Sequence, residues 1–506
     1  MRQAALALAS AVLLAGPTVI AFFSGGYFDT PRLWGLALAW VLVLIAALCA
    51  PRPLPRALPG RLVLGGMAAL TASTAISIAW APLSGAALDD VQRLLLYLGA
   101  LIAAIALLRR DRMARAIEPA LGFGACLVVA YGVAGRLLPG VLQPDVSLRA
   151  GGRLDQPLTY WNGMGALAAI GVVLCVHLGA DRTRSARLRA LAIAACAPLS
   201  AGLYLSYSRG AIAGLVVGLL VILALDPTRS ALRALAVAAG VGAAGVLACA
   251  PFDGVADLTG SLGHRERQGL VALALLIGVM LVGAVAAVWL TRSDARRPEA
   301  ADASRLPGAR LLPAAAATAF VAALCVVVIG GLTERAGDAA RTDLQSAGRL
   351  TSLQSNRYEY WRVAAGAFAD RPVQGLGSSG FRVRWLEERP IPEVVRNAHS
   401  LPLETAAELG LVGLLALLAL LGGAGLAAMR ALARRPGLSA GWVAACAVFL
   451  LHAFMDWGWQ MPAVALPFVL LVGALAAVAD EDLAASGETP DLAARTGEAR
   501  AVAEPA

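Results

Sequence analysis

Apolar runs about twenty residues long recur along most of the 506 residues, and they decide what the chain can fold into. A helix needs about 20 consecutive apolar residues to cross the hydrocarbon core of a bilayer. Only 15% of the residues are charged and 59% are hydrophobic, where soluble domains carry about 25% charged residues. A water-soluble enzyme, a coiled coil and a disordered chain are excluded. The pattern predicts an all-α polytopic membrane protein with about 12–14 transmembrane helices. Fourteen candidate spans lie at about 4–23, 34–50, 62–82, 91–108, 117–137, 160–179, 190–206, 210–225, 232–250, 269–290, 311–332, 409–429, 439–456 and 462–479. The first has only a weakly basic start and is read as a span rather than a signal peptide.

All 42 basic residues are arginine, a bias that GC-rich bacterial genomes tend to encode. They are spread over loops rather than along one face, so nucleic acid is not the expected partner. Over the short loops, 24 arginines fall on the side of the N-terminus and 8 on the other. By the positive-inside rule both termini are cytoplasmic and the segment 333–408 faces outward. The expected organisation is 1–150 and 151–332 as N-terminal and central membrane helices, 333–408 as one large outward loop, 409–479 as C-terminal membrane helices, and 480–506 as an acidic, disordered cytoplasmic tail. Within the loop, Tyr358, Trp361, Ala365 and Phe368 stand at helical spacing and predict a short amphipathic helix at headgroup level. The seven cysteines fall inside apolar runs and suggest neither disulfides nor metal sites.

The polar residues that carry chemistry collect near the outward loop. His399 precedes a span. His452 stands four residues before Asp456, an ionisable pair near a helix end that is either functional or structural. Glu404 and Glu408 share one helical face, to orient His399 or to cap the next span. Asp89 and Asp90 read as solvated, and no outward loop holds an Asp-x-Asp pair.

Four segments, taken together, resemble the O-antigen ligase and polymerase superfamily. His399-Ser400, nine residues and Gly410-Leu-Val-Gly413 are similar to the family's carboxy-terminal periplasmic motif, with Ser400 where many relatives carry Asn. Arg357-x-x-x-Trp361 followed by Pro372-Val-Gln-Gly-Leu-Gly377 looks like its Arg…Trp…Pro-x-x-Gly-x-Gly run. Tyr207-Ser-Arg-Gly-Ala211 resembles the Ser-Arg-Gly that opens its domain, and Arg153 to Asn162 the loop before its central span. The resemblance covers roughly 150–475.

It implies a metal-independent glycosyltransferase, without cofactor, at the outer face of a bacterial inner membrane. The donor would be a glycan on polyprenyl diphosphate, and the acceptor a hydroxyl on a glycan, a lipid core or a protein. Ligase, polymerase and protein-glycosylating members share the motif. By position, Arg209 and Arg357 would hold the leaving diphosphate through their bidentate forks, with Arg362 an alternative to Arg357. His399 would take the acceptor's proton or orient it. Bland alternatives stand beside these roles: a flanking arginine at 209, headgroup contact at 357 and loop capping at 399. The competing function is a secondary transporter or lipid-linked glycan flippase, which would show internal repeats and mid-membrane charge.

Overall fold

The computed structural model describes residues 1–142, 150–296, 311–333 and 355–481. Part of the 291–310 loop, residues 334–354 of the expected outward loop, and all but the first two residues of the 480–506 tail lie outside the described residues. Among the described residues the chain is helical, with no strand. The helices are α1 (Arg2–Ala21), α2 (Asp29–Cys49), α3 (Leu58–Ser77), α4 (Ser84–Leu107), α5 (Asp111–Leu137), α6 (Trp161–Ala180), α7 (Ala186–Leu205), α8 (Arg209–Leu225), α9 (Arg229–Leu247), α10 (Asp253–Ala256), α11 (Leu262–Ala295), α12 (Leu312–Thr333), α13 (Arg357–Asp370), α14 (Phe381–Glu388), α15 (Leu401–Arg434), α16 (Pro436–Met455) and α17 (Pro462–Ala479). Each of the fourteen expected spans falls on one of them. Eleven are long and apolar enough to cross a membrane, and the other three expected spans are α3, α8 and α12.

The protein is an all-α polytopic membrane protein, and its helices sort by how much lipid they meet. The apolar windows of α6 and α17 are wholly buried, so these two form the centre and are apolar on every face. The peripheral α11 exposes Leu275, Leu281, Val282, Val285 and Trp289, a surface that only hydrocarbon accommodates. Between helices, small residues set the distance, as expected where lipid tails offer no hydrophobic drive to association. A Cβ at Gly66 of α3 would meet Leu420 N of α15 at 2.3 Å, and one at Gly423 would meet Val63 N at 2.6 Å. Only hydrogen at both positions lets these backbones touch.

The arginine-rich loops gather at one end of the bundle, and there the buried charges are paired. Asp294 of α11 accepts from Arg189 of α7 at 2.6 Å and from Arg233 of α9 at 2.8 Å. Glu118 of α5 meets His177 of α6 at 2.7 Å. His177 is thus a buried structural partner. At the opposite end lie α10, α13 and α14, with the loops that join α6, α8, α15 and α16 to their neighbours.

At this second end the structure corrects two expectations. The helix predicted to begin at about 409 starts at Leu401 and is broken at Gly410, whose φ of 61° and ψ of −153° lie outside the helical region. The break leaves Ala407 and Glu408 carbonyls and the Leu411 N–H without helical partners. The loop Pro372–Gly377 supplies them: Leu376 N donates to Ala407 O (2.9 Å), Gly377 N to Glu408 O (2.8 Å) and Leu411 N to Pro372 O (2.8 Å). The two glycine motifs are one docking surface. A Cβ at Gly410 would sit 2.3 Å from Val373 O, and one at Gly375 2.4 Å from Glu408 C.

The second correction concerns α13. Of the expected stripe, Tyr358 is buried and Trp361 packs with Tyr360, Val363, Ala364 and Ala367 against Phe381, Trp385 and Ala407, while Ala365 is exposed. Periodicity alone does not say how far around a helix the protein contact extends. Here α14 and the first turns of α15 widen it to Tyr360, Val363, Ala364 and Ala367.

Gly410→Ala should destabilise the fold by about 1–3 kcal/mol through backbone strain alone, with the Val373 contact adding to it. Gly422→Ala, where a Cβ meets nothing within 4 Å, should be neutral or stabilising. Thermal unfolding in detergent checks the contrast, and equal midpoints for the two variants would show that the break is not required.

Candidate active site

Asp456 is the centre of the second end. It follows Met455, the last residue of α16, with extended φ and ψ of −155° and 168°, so its carboxylate turns off the helix axis into the bundle. The side chain is 2% exposed. Its Oδ1 accepts from the Tyr160 hydroxyl and from Trp457 N (2.8 Å), and its Oδ2 from Arg357 Nη2. Asn162 Nδ2 donates to the Tyr160 hydroxyl at 2.9 Å, which fixes that phenol as donor toward Asp456. Tyr160 precedes α6 and Arg357 opens α13. One carboxylate therefore joins the membrane bundle to the segment above it. Asp456 accepts from Arg357 only through Nη2, and Arg357 has no other ion-pair partner among the described residues. A guanidinium has five N–H donors, so one contact to Asp456 does not exhaust the fork.

His399 lies beside this carboxylate, in the turn between α14 and α15. Its φ of 55° is left-handed, an uncommon conformation for any residue with a Cβ. Its Nδ1 is 3.0 Å from Asn397 O. A carbonyl only accepts, so the proton sits on Nδ1 and the Nε2 lone pair is left for chemistry. Tyr360 packs against the imidazole with ring centres 5.2 Å apart, and Trp457 meets it edge-on at 6.4 Å. Burial pushes the imidazole below its ordinary value of 6.5, opposed by the Asp456 carboxylate and reinforced by Arg357. The group is a neutral base that faces an anion able to stabilise its protonated form.

Glu404 holds the histidine turn in place. Its Oε2 accepts from Ala398 N at 2.7 Å and its Oε1 from Asn397 Nδ2 at 3.1 Å, with Gln460 Nε2 also donating to Oε1. The residues on either side of the Asn397 carbonyl are tied to one carboxylate. Glu408, one turn on, accepts from Phe381 N at 3.3 Å. It anchors the start of α14 rather than His399.

The remaining expected residues divide. Arg209 is the first residue of α8, after the N-cap Ser208 and after Tyr207, whose φ of 49° is again left-handed. A Cβ on the next residue, Gly210, would lie 3.8 Å from both His452 and Met455, so the first turn of α8 packs beside the same helix end. His452 is fully buried, with Nε2 3.8 Å from Asp456 Oδ2. Arg362 is elsewhere: it is exposed and pairs with Glu359 at 2.6 Å. Five residues along a helix is about 140° around its axis, which turns Arg362 away from Asp456. Asp89 and Asp90 are not solvated pendants. Asp89 pairs with Arg32 at 2.6 Å. Asp90 pairs with Arg93 at 2.7 Å and accepts from Ser378 and Ser379 at 2.7 and 2.8 Å. It ties the glycine loop to α4.

Sequence reasoning missed Tyr160, Trp457 and Gln460 as individual residues. Tyr160 stood inside a segment that the family resemblance had marked. Trp457 and Gln460 had no comparable signal, because only tertiary packing brings them to His399 and Glu404. Among the described residues, no three His, Cys, Asp or Glu side chains converge as a metal site would need.

The family model described as O-Antigen ligase matches residues 258–418. The match runs from the loop before α11 into α15 and takes in Arg357, Arg362, His399, Glu404, Glu408 and both glycine motifs. No curated protein matches the chain. The docked glycine motifs and the histidine turn lie inside this matched region, so residues 258–418 of the chain are similar to the O-antigen ligase family.

Proposed function

We propose that the protein transfers a glycan from a polyprenyl diphosphate carrier to an acceptor hydroxyl at the outer face of a bacterial cytoplasmic membrane. The observation that carries this reading is the corner where Arg357, aimed by Asp456, and His399, with its Nε2 lone pair available, meet under one aromatic wall. Tyr160 and Trp457 form that wall with ring centres 4.2 Å apart. A lipid-linked donor would reach the corner from the bilayer with its diphosphate at headgroup depth.

The steps follow from the residue types. The acceptor oxygen attacks the anomeric carbon while the bond from that carbon to the diphosphate oxygen breaks. The hydroxyl proton passes to His399 Nε2, and Asp456 stabilises the imidazolium that results. The departing diphosphate gains negative charge, which Arg357 meets with parallel charge-assisted hydrogen bonds. Arg209, the first residue of α8, is the second arginine of this reading. The chemistry so read calls for no divalent ion. Ligase and polymerase differ only in the acceptor that presents the hydroxyl.

The arginine-rich end would then be cytoplasmic, together with both termini. Cysteines at Ala186 and Gln374, both exposed and at opposite ends of the bundle, check this in a background without native cysteines. A membrane-impermeant reagent applied to intact spheroplasts should label position 374 and spare 186. The reverse pattern would invert the map.

His399→Ala should lower transfer from a purified polyprenyl-linked donor by about 10²–10⁴-fold, the usual contribution of a general base, while donor affinity stays near wild type. Because burial lowers the imidazole's pKa, the base form persists through neutrality, and the acid limb of the rate profile should lie below 6.5. A flat profile through that range, or full activity in the variant, would remove His399 from the reaction. Arg357→Lys keeps the charge but loses the planar fork. It should reduce transfer at least tenfold with normal insertion, and wild-type turnover would reduce Arg357 to a structural contact.

A further inference from the structure

The end of the bundle that holds the catalytic corner also holds a cavity that the reading above leaves unused. Its volume is about 230 Å³, and it lies where the end of α5, the loop before α6, the α10–α11 turn and the first turn of α11 converge. Arg136, Asp155, Gln156 and Arg265 supply its polar lining, and leucines such as Leu142 and Leu258 its apolar lining. Hydrogen-only contacts fix the walls: a Cβ at Gly132 would lie 2.3 Å from Gln156 O, and one at Gly269 2.1 Å from Leu137 O. Arg136 joins two walls, donating to Val255 O at 3.3 Å and to Gly152 O. Asp253 clasps the α10–α11 turn, accepting from Thr259 Oγ1 and Gln268 Nε2 at 2.7 Å each. Within that turn Leu258 has a left-handed φ of 60°.

The lining selects a class of ligand. Arginine only donates hydrogen bonds, a carboxylate only accepts them, and a glutamine amide does both. Such a mixture suits neighbouring hydroxyls, each of which donates and accepts, and the leucines suit the C–H faces of a sugar ring. It does not suit a phosphate, which the Asp155 carboxylate would repel. Arg265 Nε is buried with no hydrogen-bond partner among the described residues, although buried donors in folded proteins almost always have one. A branched side chain held left-handed, as at Leu258, is strain of the kind that functional sites collect. The volume falls below the range of about 300–1,000 Å³ usual for drug-sized ligands, and so fits one sugar ring rather than a chain of them.

One turn joins this cavity to the catalytic corner. Asp155 lines the cavity, while its carbonyl accepts from Tyr160 N at 3.2 Å, and the Tyr160 hydroxyl donates to Asp456. The helices around the cavity, α5, α10 and α11, are not those that carry His399. They adjoin the turn that leads to Arg209 instead: Leu154 N donates to Leu205 O at 2.9 Å, and the Tyr207 hydroxyl to Ala256 O at 3.4 Å. We propose that the cavity is a sugar subsite for the donor glycan, holding a ring beyond the one whose anomeric carbon reacts. The inference rests on the lipid-linked donor reading above and adds to it a position that determines donor specificity. A sugar bound there takes no part in the chemistry, and its binding energy orients the sugar that does.

The probes are the lipid-linked glycan extracted from a strain deleted for the gene, and the same polyprenyl diphosphate carrying only its first sugar. Affinity for each is measured with the full chain in lipid nanodiscs. The wild type should prefer the complete glycan by about tenfold, the effect of one or two net hydrogen bonds. Arg265→Gln should abolish that preference and leave affinity for the one-sugar probe near wild type. Leu142→Trp, which fills the cavity without touching a charged group, should do the same, and it carries the test alone should the glutamine variant not insert. Equal wild-type affinity for the two probes, or a preference retained in both variants, overturns the subsite and leaves the donor reading standing. A loss shared by both probes makes Arg265 and Leu142 structural residues and overturns the subsite as well. Normal donor preference with a raised acceptor KM would give the cavity to the acceptor and overturn the donor assignment. No accumulated lipid-linked glycan in the deletion strain, or no binding of either probe to the wild type, overturns the subsite and the donor reading together.

Discussion

The Asp456 carboxylate, buried where α16 ends, is the interaction on which the rest of this site depends. A charge so placed persists only with partners that replace its water. Those partners come from two distant parts of the chain, Tyr160 before α6 and Arg357 at the start of α13, and from the backbone of the adjoining Trp457. Removing the carboxylate would strand an arginine and loosen the helix that carries it. Because Arg357 is the first residue of α13, its orientation also sets how the small core around Tyr360 and Trp385 sits on the bundle. That core in turn presents the Tyr360 ring to His399.

A second constraint works through the backbone alone. The interruption of α15 at Gly410 exposes carbonyls and an N–H that water cannot reach without cost, and the Pro372–Gly377 loop satisfies them. This explains why glycines recur at fixed spacing in two distant segments. They are the places where one backbone must lie against another. The docking also frames the half-helix Leu401–Leu409, from which Glu404 reaches back to hold the histidine turn. Left-handed residues cluster around the result: Thr159 before Tyr160, Tyr207 before Arg209, Ser379 in the glycine loop and His399 itself. Such conformations persist only where the surroundings over-determine them, and functional sites are where they concentrate.

Much of this was legible in the sequence, for physical reasons. Span-length apolar runs have no alternative to membrane helices, and each of the fourteen expected spans lies on one. The two catalytic candidates His399 and Arg357 were reached through motif resemblance, and they face one carboxylate. What the sequence hid were relations that only packing decides. The protein contact of α13 takes in Tyr360, Val363, Ala364 and Ala367 beside Tyr358 and Trp361, and leaves Ala365 exposed. Arg362 shares a helix with Arg357 but not a direction. Asp89 and Asp90 resemble solvated loop residues because their partners, Arg32 and the Ser378–Ser379 pair, include residues almost three hundred positions away. The start of α15 at Leu401 lies ahead of its apolar run, because the first turns carry Glu404 and Glu408 toward the histidine turn and α14 rather than into lipid.

The central claim is that the corner between Asp456 and His399 is where a diphosphate-linked donor reacts. The most direct measurement is an experimental structure of the protein in nanodiscs with a polyprenyl diphosphate bound. The account predicts density for the diphosphate within hydrogen-bond distance of Arg357, with the nearest oxygens on the face of the site that carries His399 Nε2. A diphosphate bound at the arginine-rich end, or between helices near the middle of the bundle, would contradict it.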